Sequence, residues 1–379
     1  IMLIFDQNYH MFKLFLLKNL KYKILAFSVI FIYCRCSEND VNQTSNANNE
    51  SEFISAVDIS SYPKIELSNP VFKDNNGVTI SFLEFLKSKE INTIRIRLWV
   101  NPIDEHSSLS EVKSFSETLK SMGFKIYLTL HYSDTWADPG HQITPSEWQN
   151  VSYTTLKDIV YDYTKIVVQQ INPDIIQIGN EINNGFLHPE GHRYSEPTQF
   201  LALLNEGIRA VRDYSTNATK IMLHYAGHQG ADVFFNDVKD LDYDVIGISY
   251  YPIWHGKSLS QLEQNLSELK SLYNKEIMIA ETAYPFTLGW NDWTNNIVGL
   301  ENQLILPEFP ATPQGQKDFV EQLKTMMTNL DGGIGLSYWG AELVAWNGEE
   351  STEGSPWENQ ALFDFNNQAL PVIDVFKIP

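Results

Sequence analysis

Cysteine is almost absent from this chain of 379 residues. The two cysteines, Cys34 and Cys36, lie together near the start, and none follows residue 36. The body of the chain therefore contains no structural disulfide, no cysteine-based zinc site and no thiol nucleophile.

Basic residues are also scarce, with 27 Lys and Arg against 47 Asp and Glu and a formal net charge of −20. A surface this acidic repels phosphate backbones and anionic headgroups, so we expect no nucleic acid partner and a neutral substrate. Aromatic residues, in contrast, make up 13% of the chain, with nine Trp and 18 Tyr. This surplus is typical of proteins that stack aromatic rings on the flat faces of sugars.

The apolar run at residues 24–33 is too short, at ten residues, to span a bilayer. It matches the core of a signal peptide, because four lysines precede it: Lys13, Lys18, Lys21 and Lys23. We predict that residues 1–36 are a signal peptide. A buried helix is the alternative, but strong charges flank the run on one side only.

A cysteine followed by the polar, acidic residues 37–40 resembles the lipoprotein signals of bacteria, in which the acylated cysteine becomes the mature N-terminus. The resemblance implies export, either as a cell-surface or outer-membrane lipoprotein or as a periplasmic or secreted protein. A lipid on Cys34 or Cys36 would be the only membrane contact. Residues 37–52, rich in Asn, Ser and Glu, predict a flexible tether.

From residue 53 to 379 the chain alternates short apolar strands with helical segments. The predicted strands are 53–58, 93–99, 125–131, 174–180, 220–225, 244–250, 276–281 and 333–339. The predicted helices between them are 80–89, 109–122, 153–170, 197–214, 259–273 and 313–329. Apolar strands that alternate with helices indicate a parallel sheet covered on both faces. Eight such units predict an α/β fold, a single (β/α)8 TIM barrel domain.

A doubly wound open sheet is the alternative fold. It is disfavoured because no Gly-x-Gly-x-x-Gly follows any predicted strand, so the usual nucleotide site of such sheets is missing.

Two apolar strands end in a glutamate, Glu181 after strand four and Glu281 after strand seven. Active-site residues of such barrels lie where strands end, and strands four and seven face each other across the ring. Two carboxyls about 5 Å apart are the arrangement of retaining glycoside hydrolysis. Each glutamate alone could instead stabilise a helix N-terminus, but the pair together, with Asn180 before one of them, favours catalysis.

Longer motifs extend this interpretation over the body of the chain. They are residues 58–61 (DISS), 95–102 (RIRLWVNP), 128–140 (LTLHYSDTWADPG), 179–185 (GNEINNG), 249–252 (SYYP) and 335–340 (GLSYWG). Together they resemble glycoside hydrolase family 53, the endo-β-1,4-galactanases that act on type I arabinogalactan. The resemblance implies a retaining enzyme without a cofactor, with Glu281 as nucleophile and Glu181 as acid/base.

The resemblance also implies a set of residues that bind the polysaccharide or support the catalytic pair. They are Asn180, Arg95, Arg97, His131, Asp134, Trp136, Asp138, Tyr251 and Trp339. Asn180 suits the sugar 2-hydroxyl, Tyr251 would donate to the nucleophile, and Trp339 would form the floor of the cleaved sugar's subsite. The loop after His131 would line the negative subsites. Core packing or an internal salt bridge is the plain alternative for the arginines and aromatic residues.

Other functions remain open at this point. His131, His224 and His228 lie near strand ends and suggest a metal-dependent hydrolase, but the His-x-His pair usual on strand one is missing. A non-catalytic polysaccharide-binding lipoprotein would not need both glutamates. The enzymatic alternative is a related endo-glycanase acting on β-mannan or β-glucan.

Calcium is a weak candidate, because some bacterial members of the family bind it in the loop after strand seven. Here that loop, residues 288–296 (LGWNDWTNN), offers only Asp292 with Asn295, a thin ligand set for an ion that prefers six to eight oxygens. We therefore expect no metal. We also expect a monomer.

Overall fold

Eight parallel strands pair in chain order and close on themselves in the computed structural model, which describes residues 52–377. The strands are β1 Ile54–Asp58, β2 Thr93–Leu98, β3 Lys125–Leu130, β4 Ile175–Ile178, β5 Lys220–Ala226, β6 Val245–Ser249, β7 Glu276–Thr282 and β8 Gly333–Trp339. Because β1 also pairs with β8, the sheet has no free edge. The predicted (β/α)8 barrel is confirmed.

Helices surround the barrel. They are α1 Tyr62–Glu66, α2 Phe82–Ser88, α3 Leu109–Ser121, α4 Tyr153–Ile171, α5 Pro197–Tyr214, α6 Ala231–Val238, α7 Pro252–His255, α8 Leu259–Tyr273 and α9 Pro313–Asn329. The six predicted helices are present, each within two residues at either end. The sequence pattern did not predict α1, α6 and α7, which have at most eight residues and too few turns for a clear period. Short 3₁₀ helices cover Ser146–Trp148, Glu301–Gln303, Glu358–Gln360 and Pro371–Phe376.

Four of the five long helices, α3, α4, α8 and α9, begin at residues whose side chains accept a hydrogen bond from the first turn. Ser108, Ser152, Ser258 and Thr312 each accept from the backbone amide three residues on, at 3.0–3.2 Å. Such caps satisfy amides that have no partner within the helix. In α4 the buried residues recur with the helical period and pack towards the strands: Leu156, Val160, Thr164, Val167, Val168 and Ile171.

Strand β4 is shorter than predicted at its carboxyl end, because the backbone turns immediately after Ile178. Gly179 has a φ of +78° and Glu181 a φ of +48°, both in the left-handed region. Residues other than glycine rarely adopt this backbone conformation, and where they do they mark sites of local constraint. The turn brings the side chain of Glu181 to the mouth of the barrel.

Strand β7 carries an irregularity where it meets β6. Ile248 pairs with Ile279, but the next residue, Ser249, pairs with Glu281 rather than with Ala280. One extra residue on a strand changes the direction of the side chains that follow it. The bulge therefore brings Glu281 level with Ser249 at the carboxyl end of the barrel.

The interior of the barrel is apolar at its base and polar towards the carboxyl ends of the strands. The base is a buried cluster of Ile54, Ala56, Tyr127, Ile175, Met222, Val245, Met278, Ala280 and Ile334. Gly247 leaves room within it, since a Cβ there would come within 2.4 Å of the Met222 sulfur. Above this layer Arg95, Gln177 and His224 are completely or almost completely buried. A second, larger apolar cluster lies between strands and helices.

The predicted signal peptide (1–36) and nearly all of the predicted tether (37–52) lie outside the described residues. Within residues 52–377, no helix combines the length and apolar character that crossing a bilayer requires.

Phe319 connects α9 to the loops that follow two strands. Its ring is fully buried, stacks on Tyr284 at 4.3 Å and lies 6.3 Å from Tyr250. We expect Phe319→Ala to lower the free energy of unfolding by about 3–5 kcal/mol, because it removes buried area and leaves a cavity. Urea titration followed by circular dichroism measures this. The control, Leu272→Ala on the exposed face of α8, should change it by less than about 0.5 kcal/mol.

Candidate active site

A cleft of about 750 Å³ opens at the carboxyl ends of the strands. It is lined by ten of the eleven residues predicted for catalysis or binding: Arg95, Arg97, His131, Trp136, Asp138, Asn180, Glu181, Tyr251, Glu281 and Trp339. They come from six strands or the segments directly after them. The strand-end pattern in the sequence thus brings these side chains into one cavity.

Arg95 lies at the centre of the site, on β2, and is only 2% exposed. Its guanidinium donates to Asp58 Oδ2 at 2.7 Å and to Glu281 Oε1 at 2.6 Å. It also donates to the amide oxygen of Asn180 at 3.0 Å. A buried cation needs such partners, because an unpaired charge would be strongly destabilising.

Glu281 is buried and receives two hydrogen bonds on different oxygens. Arg95 donates to Oε1, and the Tyr251 hydroxyl donates to Oε2 at 3.0 Å. Burial raises the pKa of Glu281, while the Arg95 charge and both hydrogen bonds oppose the rise. The predicted donor role of Tyr251 has the required geometry.

Glu181 lies opposite Glu281 and is only partly buried. A carboxylate oxygen of each glutamate lies within 4.8 Å of one on the other. The Ser249 hydroxyl donates to Glu181 Oε1 at 2.6 Å. Burial, followed by the charge of Glu281, raises the pKa of Glu181 to about 8.

The two carboxyls therefore differ in their surroundings. Glu281 accepts from a cation in direct contact, whereas the donor to the Glu181 carboxylate among residues 52–377 is a neutral hydroxyl. Because two close carboxyls do not readily ionise together, the proton of the pair resides on Glu181. This is the distribution of a proton donor facing an ionised nucleophile.

Arg97, two residues along β2, is buried, and within the described part of the chain its guanidinium contacts no carboxylate. Its guanidinium donates to the hydroxyls of Ser107 at 3.0 Å and Ser61 at 3.3 Å. It also lies over the rings of Trp136, at 4.1 Å, and Trp99, at 4.8 Å. Burial lowers the pKa of Arg97 to about 10. Arg97 thus packs against two tryptophan rings and does not contact Glu281.

Tryptophans form one wall of the cleft. Trp339 at the end of β8 lies 4.5 Å from Trp357 and 6.0 Å from Trp136, measured between ring centroids. Trp254 also lines the cleft and is 54% exposed. Exposed indole faces in a cleft are suited to stacking on sugar rings.

His131 and Asn180 are held by the loop that follows β3. The backbone amide of Ala137 donates to His131 Nδ1 at 3.1 Å, and Asn180 Nδ2 donates to the Ala137 carbonyl at 2.8 Å. Burial, with the charges of Arg97 and Arg95, lowers the pKa of His131 well below its ordinary value, so the ring is neutral.

The remaining acids of that loop have different positions. Asp138 lines the cleft and accepts from the Gly140 amide at 2.7 Å. Asp134 is the one predicted binding residue that does not line the cleft. Its carboxylate accepts from the amides of Asn101, at 3.1 Å, and Ser146, at 2.8 Å, so it fastens two loops to each other. A direct sugar contact by Asp134 stays a prediction.

Asp292 and Asn295, the weak calcium candidates, lie outside the cleft lining. Asp292 is buried, and its carboxylate accepts from the amides of Thr294 at 2.7 Å and Ser355 at 3.4 Å. Asn295 is exposed. The geometry adds no support to a calcium site at these two residues.

Glu181, His224 and Glu281 place one potential metal ligand each within 4.8 Å of one another. Both ring nitrogens of His224 already have partners, Gln177 Nε2 at 3.0 Å and Ser249 Oγ at 2.8 Å. This cluster is explained by hydrogen bonds between side chains. His228 bonds the His255 carbonyl at 3.0 Å and does not join it.

Several residues of the site had no predicted role in it. Gln177 is a single polar residue inside an apolar strand, and this interruption was its only signal. His224 was considered only as a potential metal ligand, whereas the structure places it in a hydrogen-bond network. Ser249 lies in the SYYP motif but attracted no role. Trp357 lies in a long irregular segment after β8, where no periodic pattern marks it.

Comparisons with known proteins agree with this geometry. The family model described as Glycosyl hydrolase family 53 matches residues 54–376. An arabinogalactan endo-β-1,4-galactanase from Cellvibrio japonicus (strain Ueda107) is 35% identical over 382 residues, covering 94% of this chain and 97% of the relative.

Two solved structures are similar over most of their length. The Ignisphaera aggregans GH53 catalytic domain matches with a TM-score of 0.80 and 38% identity, covering 86% of this chain and 96% of that one. A structure described for two fungal β-1,4-galactanases matches with a TM-score of 0.74 and 29% identity, covering 85% and 98%.

We expect Arg95→Met to lower the free energy of unfolding by about 3–5 kcal/mol at pH 7, because Asp58 and Glu281 would lose their buried cation. Without the cation, the pKa of Glu281 in the folded state rises further above its ordinary value, so the loss should shrink as the pH falls and this carboxyl becomes protonated. Urea unfolding at pH 7 and pH 4.5 measures both effects.

The matched control for Arg95 is Arg209→Met. Arg209 also pairs with a glutamate, Glu206 at 2.7 Å, but is half exposed, and Glu206 keeps Lys157 at 3.5 Å. Its loss should be below about 1 kcal/mol. Equal losses for both variants at pH 7 would contradict the central role of Arg95.

Proposed function

The chain belongs to glycosyl hydrolase family 53, and from this we propose that it hydrolyses internal β-1,4-galactosidic bonds of type I arabinogalactan with retention of configuration. The observation that carries the mechanism is the facing pair Glu181 and Glu281, with carboxylate oxygens within 4.8 Å. In retaining enzymes the two carboxyls are close, because one of them attacks the sugar directly. In inverting enzymes they are farther apart, because a water must fit beside the sugar. The galactan substrate follows from the names of the relatives, which are galactanases.

In the first step Glu281 attacks the anomeric carbon, and the bond from this carbon to the glycosidic oxygen breaks. Glu181 transfers its proton to the departing oxygen, so that the shortened chain leaves as an alcohol. A galactosyl ester of Glu281 remains. The Arg95 guanidinium and the Tyr251 hydroxyl, both in contact with Glu281, keep it ionised before the attack.

In the second step Glu181, now ionised, removes a proton from a water. The oxygen of this water bonds to the anomeric carbon, and the ester bond to Glu281 breaks. The product is a reducing galactosyl end in the original β configuration. Both carboxyls return to their starting protonation states.

The remaining residues of the cleft orient the polysaccharide. Asn180 keeps one amide hydrogen for the sugar 2-hydroxyl, because Ala137 accepts the other. Trp339 supports the sugar that is cleaved. The loop from His131 to Asp138, with Trp136 at its centre, lines the negative subsites, where stacking and hydrogen bonds hold galactose units.

The alternative substrates, β-mannan and β-glucan, are not favoured, because the family and its named relatives point to galactan. A purely binding protein would not need the catalytic pair, yet both glutamates are present and differ in environment. No cofactor is required by either step. All the groups named above come from one chain, and we propose a monomer.

The test is an assay of the protein from residue 37 onward on galactan, β-mannan and barley β-glucan, following new reducing ends. We expect short oligosaccharides from galactan alone, with the β anomer appearing first in the NMR spectrum. Glu281→Ala should remove activity, and Glu181→Ala should lower kcat by about 10²- to 10⁴-fold, the usual contribution of a general acid. Activity on mannan or glucan instead would contradict the substrate while keeping the mechanism.

Chemical rescue and a matched control separate chemistry from folding. Azide should restore turnover to both variants with an aryl substrate, giving the α-galactosyl azide with Glu281→Ala and the β-galactosyl azide with Glu181→Ala. Glu276→Ala, at the opposite end of β7, removes a glutamate that pairs with Lys220 away from the cleft. It should keep the activity of the unaltered enzyme. The same azide anomer from both glutamate variants would overturn the role assignment.

We also propose export with a lipid on Cys34 or Cys36, a proposal that depends on the sequence alone. When the full chain is expressed in a bacterium that processes lipoproteins, radioactive palmitate should label it. The Cys34→Ser, Cys36→Ser double variant should not be labelled, and the single variants should identify the acylated residue. Labelling of neither the chain nor the variants, with activity in the medium, would indicate plain secretion.

A further inference from the structure

We propose that a buried hydrogen-bond chain, Gln177–His224–Ser249, acts as a positioning device that directs the acid proton of Glu181 onto Oε2, the oxygen that would face the leaving group. This inference rests on the acid/base role proposed for Glu181 above. It concerns residues that do not touch the substrate and that the motifs of the sequence did not mark as functional.

His224 lies on β5 with no solvent exposure. Burial, with the charges of Arg95, His131 and His255, lowers its pKa well below the ordinary value. The ring is therefore neutral and carries one N–H. Which nitrogen holds this hydrogen is decided by the neighbours of each.

Two neighbours of His224 Nδ1 are donors, and the third is an acceptor, Asn180 Oδ1. The backbone amide of Glu181 points to it at 3.4 Å, and the side-chain amide of Gln177 lies at 3.0 Å. A backbone amide can only donate, so Nδ1 accepts. Asn180 Oδ1, at 3.2 Å, already accepts from Arg95 and Gln177. The hydrogen of the ring is therefore on Nε2.

The orientation of Gln177 is set independently of the histidine. Its oxygen accepts from Arg95 at 3.3 Å and from the Tyr127 hydroxyl, and its nitrogen donates to the Gly179 carbonyl at 2.9 Å. A flipped amide would oppose the Arg95 guanidinium and the Gly179 carbonyl. The two hydrogens of the Gln177 nitrogen are shared among the Gly179 carbonyl, Asn180 Oδ1 and His224 Nδ1, so the first link of the chain has one direction.

The direction continues through Ser249. Among residues 52–377, His224 Nε2 contacts one partner, the Ser249 hydroxyl at 2.8 Å, so the imidazole donates and the hydroxyl oxygen accepts. The hydrogen of Ser249 then points to Glu181 Oε1 at 2.6 Å. Because Oε1 accepts this bond, a proton on Glu181 occupies Oε2. The bulge in β7 that brings Glu281 level with Ser249 puts this arrangement beside the nucleophile.

Charges around Glu181 tune how firmly it holds its proton. Burial and the charges of Glu281 and Asp138 raise its pKa, whereas the Ser249 hydrogen bond and Arg95 lower it. The histidines nearby, His131 and His224, are neutral. Removal of the Ser249 hydroxyl therefore raises the pKa of Glu181 and also leaves its proton free to sit on either oxygen.

The experiment compares two substrates with Ser249→Ala. Cleavage of galactan releases a sugar oxygen that must be protonated as it leaves. Cleavage of 2,4-dinitrophenyl β-1,4-galactobioside releases a phenolate that leaves without a proton. We expect kcat/KM on galactan to fall about 10- to 100-fold, the effect of losing a hydrogen bond to a charged group. The value on the aryl substrate should change less than about threefold.

The pH profile gives a second readout. Glu181 must be protonated to act, so the basic limb of kcat/KM on galactan reports its pKa. In Ser249→Ala this limb should move to higher pH, because the ionised carboxylate has lost a donor. Ser249→Thr, which keeps the hydroxyl, should retain the unaltered ratio of galactan to aryl kcat/KM even if the added methyl slows both reactions.

Ser337→Ala is the matched control, because Ser337 is also a fully buried barrel serine but its hydroxyl has no partner among residues 52–377. It should change neither the ratio nor the basic limb. An equal loss on both substrates with Ser249→Ala, or a basic limb that stays or moves down, would overturn the proposal. If Glu181→Ala itself lowered kcat/KM equally on both substrates, the acid/base assignment would fail instead.

Discussion

One buried cation organises the site. The Arg95 guanidinium bonds a carboxylate from β1, a carboxylate from β7 and an amide at the end of β4, and it lies 5.2 Å from the ring of Tyr127 on β3. A charge removed from water tolerates few arrangements of its partners. The carboxyl ends of β1, β4 and β7 are therefore held to β2 by electrostatics, and the position of Glu281 follows from the need to neutralise the buried charge at the centre of the barrel.

The same cation makes two chemically identical side chains unequal. Glu281 touches Arg95, and Glu181 does not, so one proton shared between them has a definite place. Local backbone geometry supports the difference, because the bulge in β7 and the left-handed turn after β4 bring each carboxyl to its position. Arg97, two residues further along β2, carries the same charge, but its guanidinium lies over the rings of Trp136 and Trp99. The two arginines of one motif thus support different parts of the cleft, Arg95 a carboxyl and Arg97 the tryptophans.

Most of the fold was predictable, because eight apolar strands alternating with periodic helices leave few other architectures. Glu181 and Glu281 were predictable for a similar reason, since an apolar strand that ends in an acid needs an explanation. Gln177 and His224 were not, because one polar residue in a strand is common and its partner lies on another strand. Asp134 is a motif residue outside the lining of the cleft, and its contacts to the amides of two loops were not predictable either. Tertiary pairing, which the linear pattern does not contain, decides these cases.

The apolar base of the barrel has a consequence for proton traffic. The polar network ends at the Tyr127 hydroxyl beside the Met222 sulfur, and Tyr127, Gln177, His224 and Met222 have no solvent exposure. On this side the network therefore ends among fully buried side chains of the barrel. Every proton that Glu181 gains or loses must pass through the open side of the cleft, in company with the leaving sugar or the incoming water. A bound polysaccharide therefore closes the proton route as well as the substrate route, and exchange with solvent waits until the aglycone has departed.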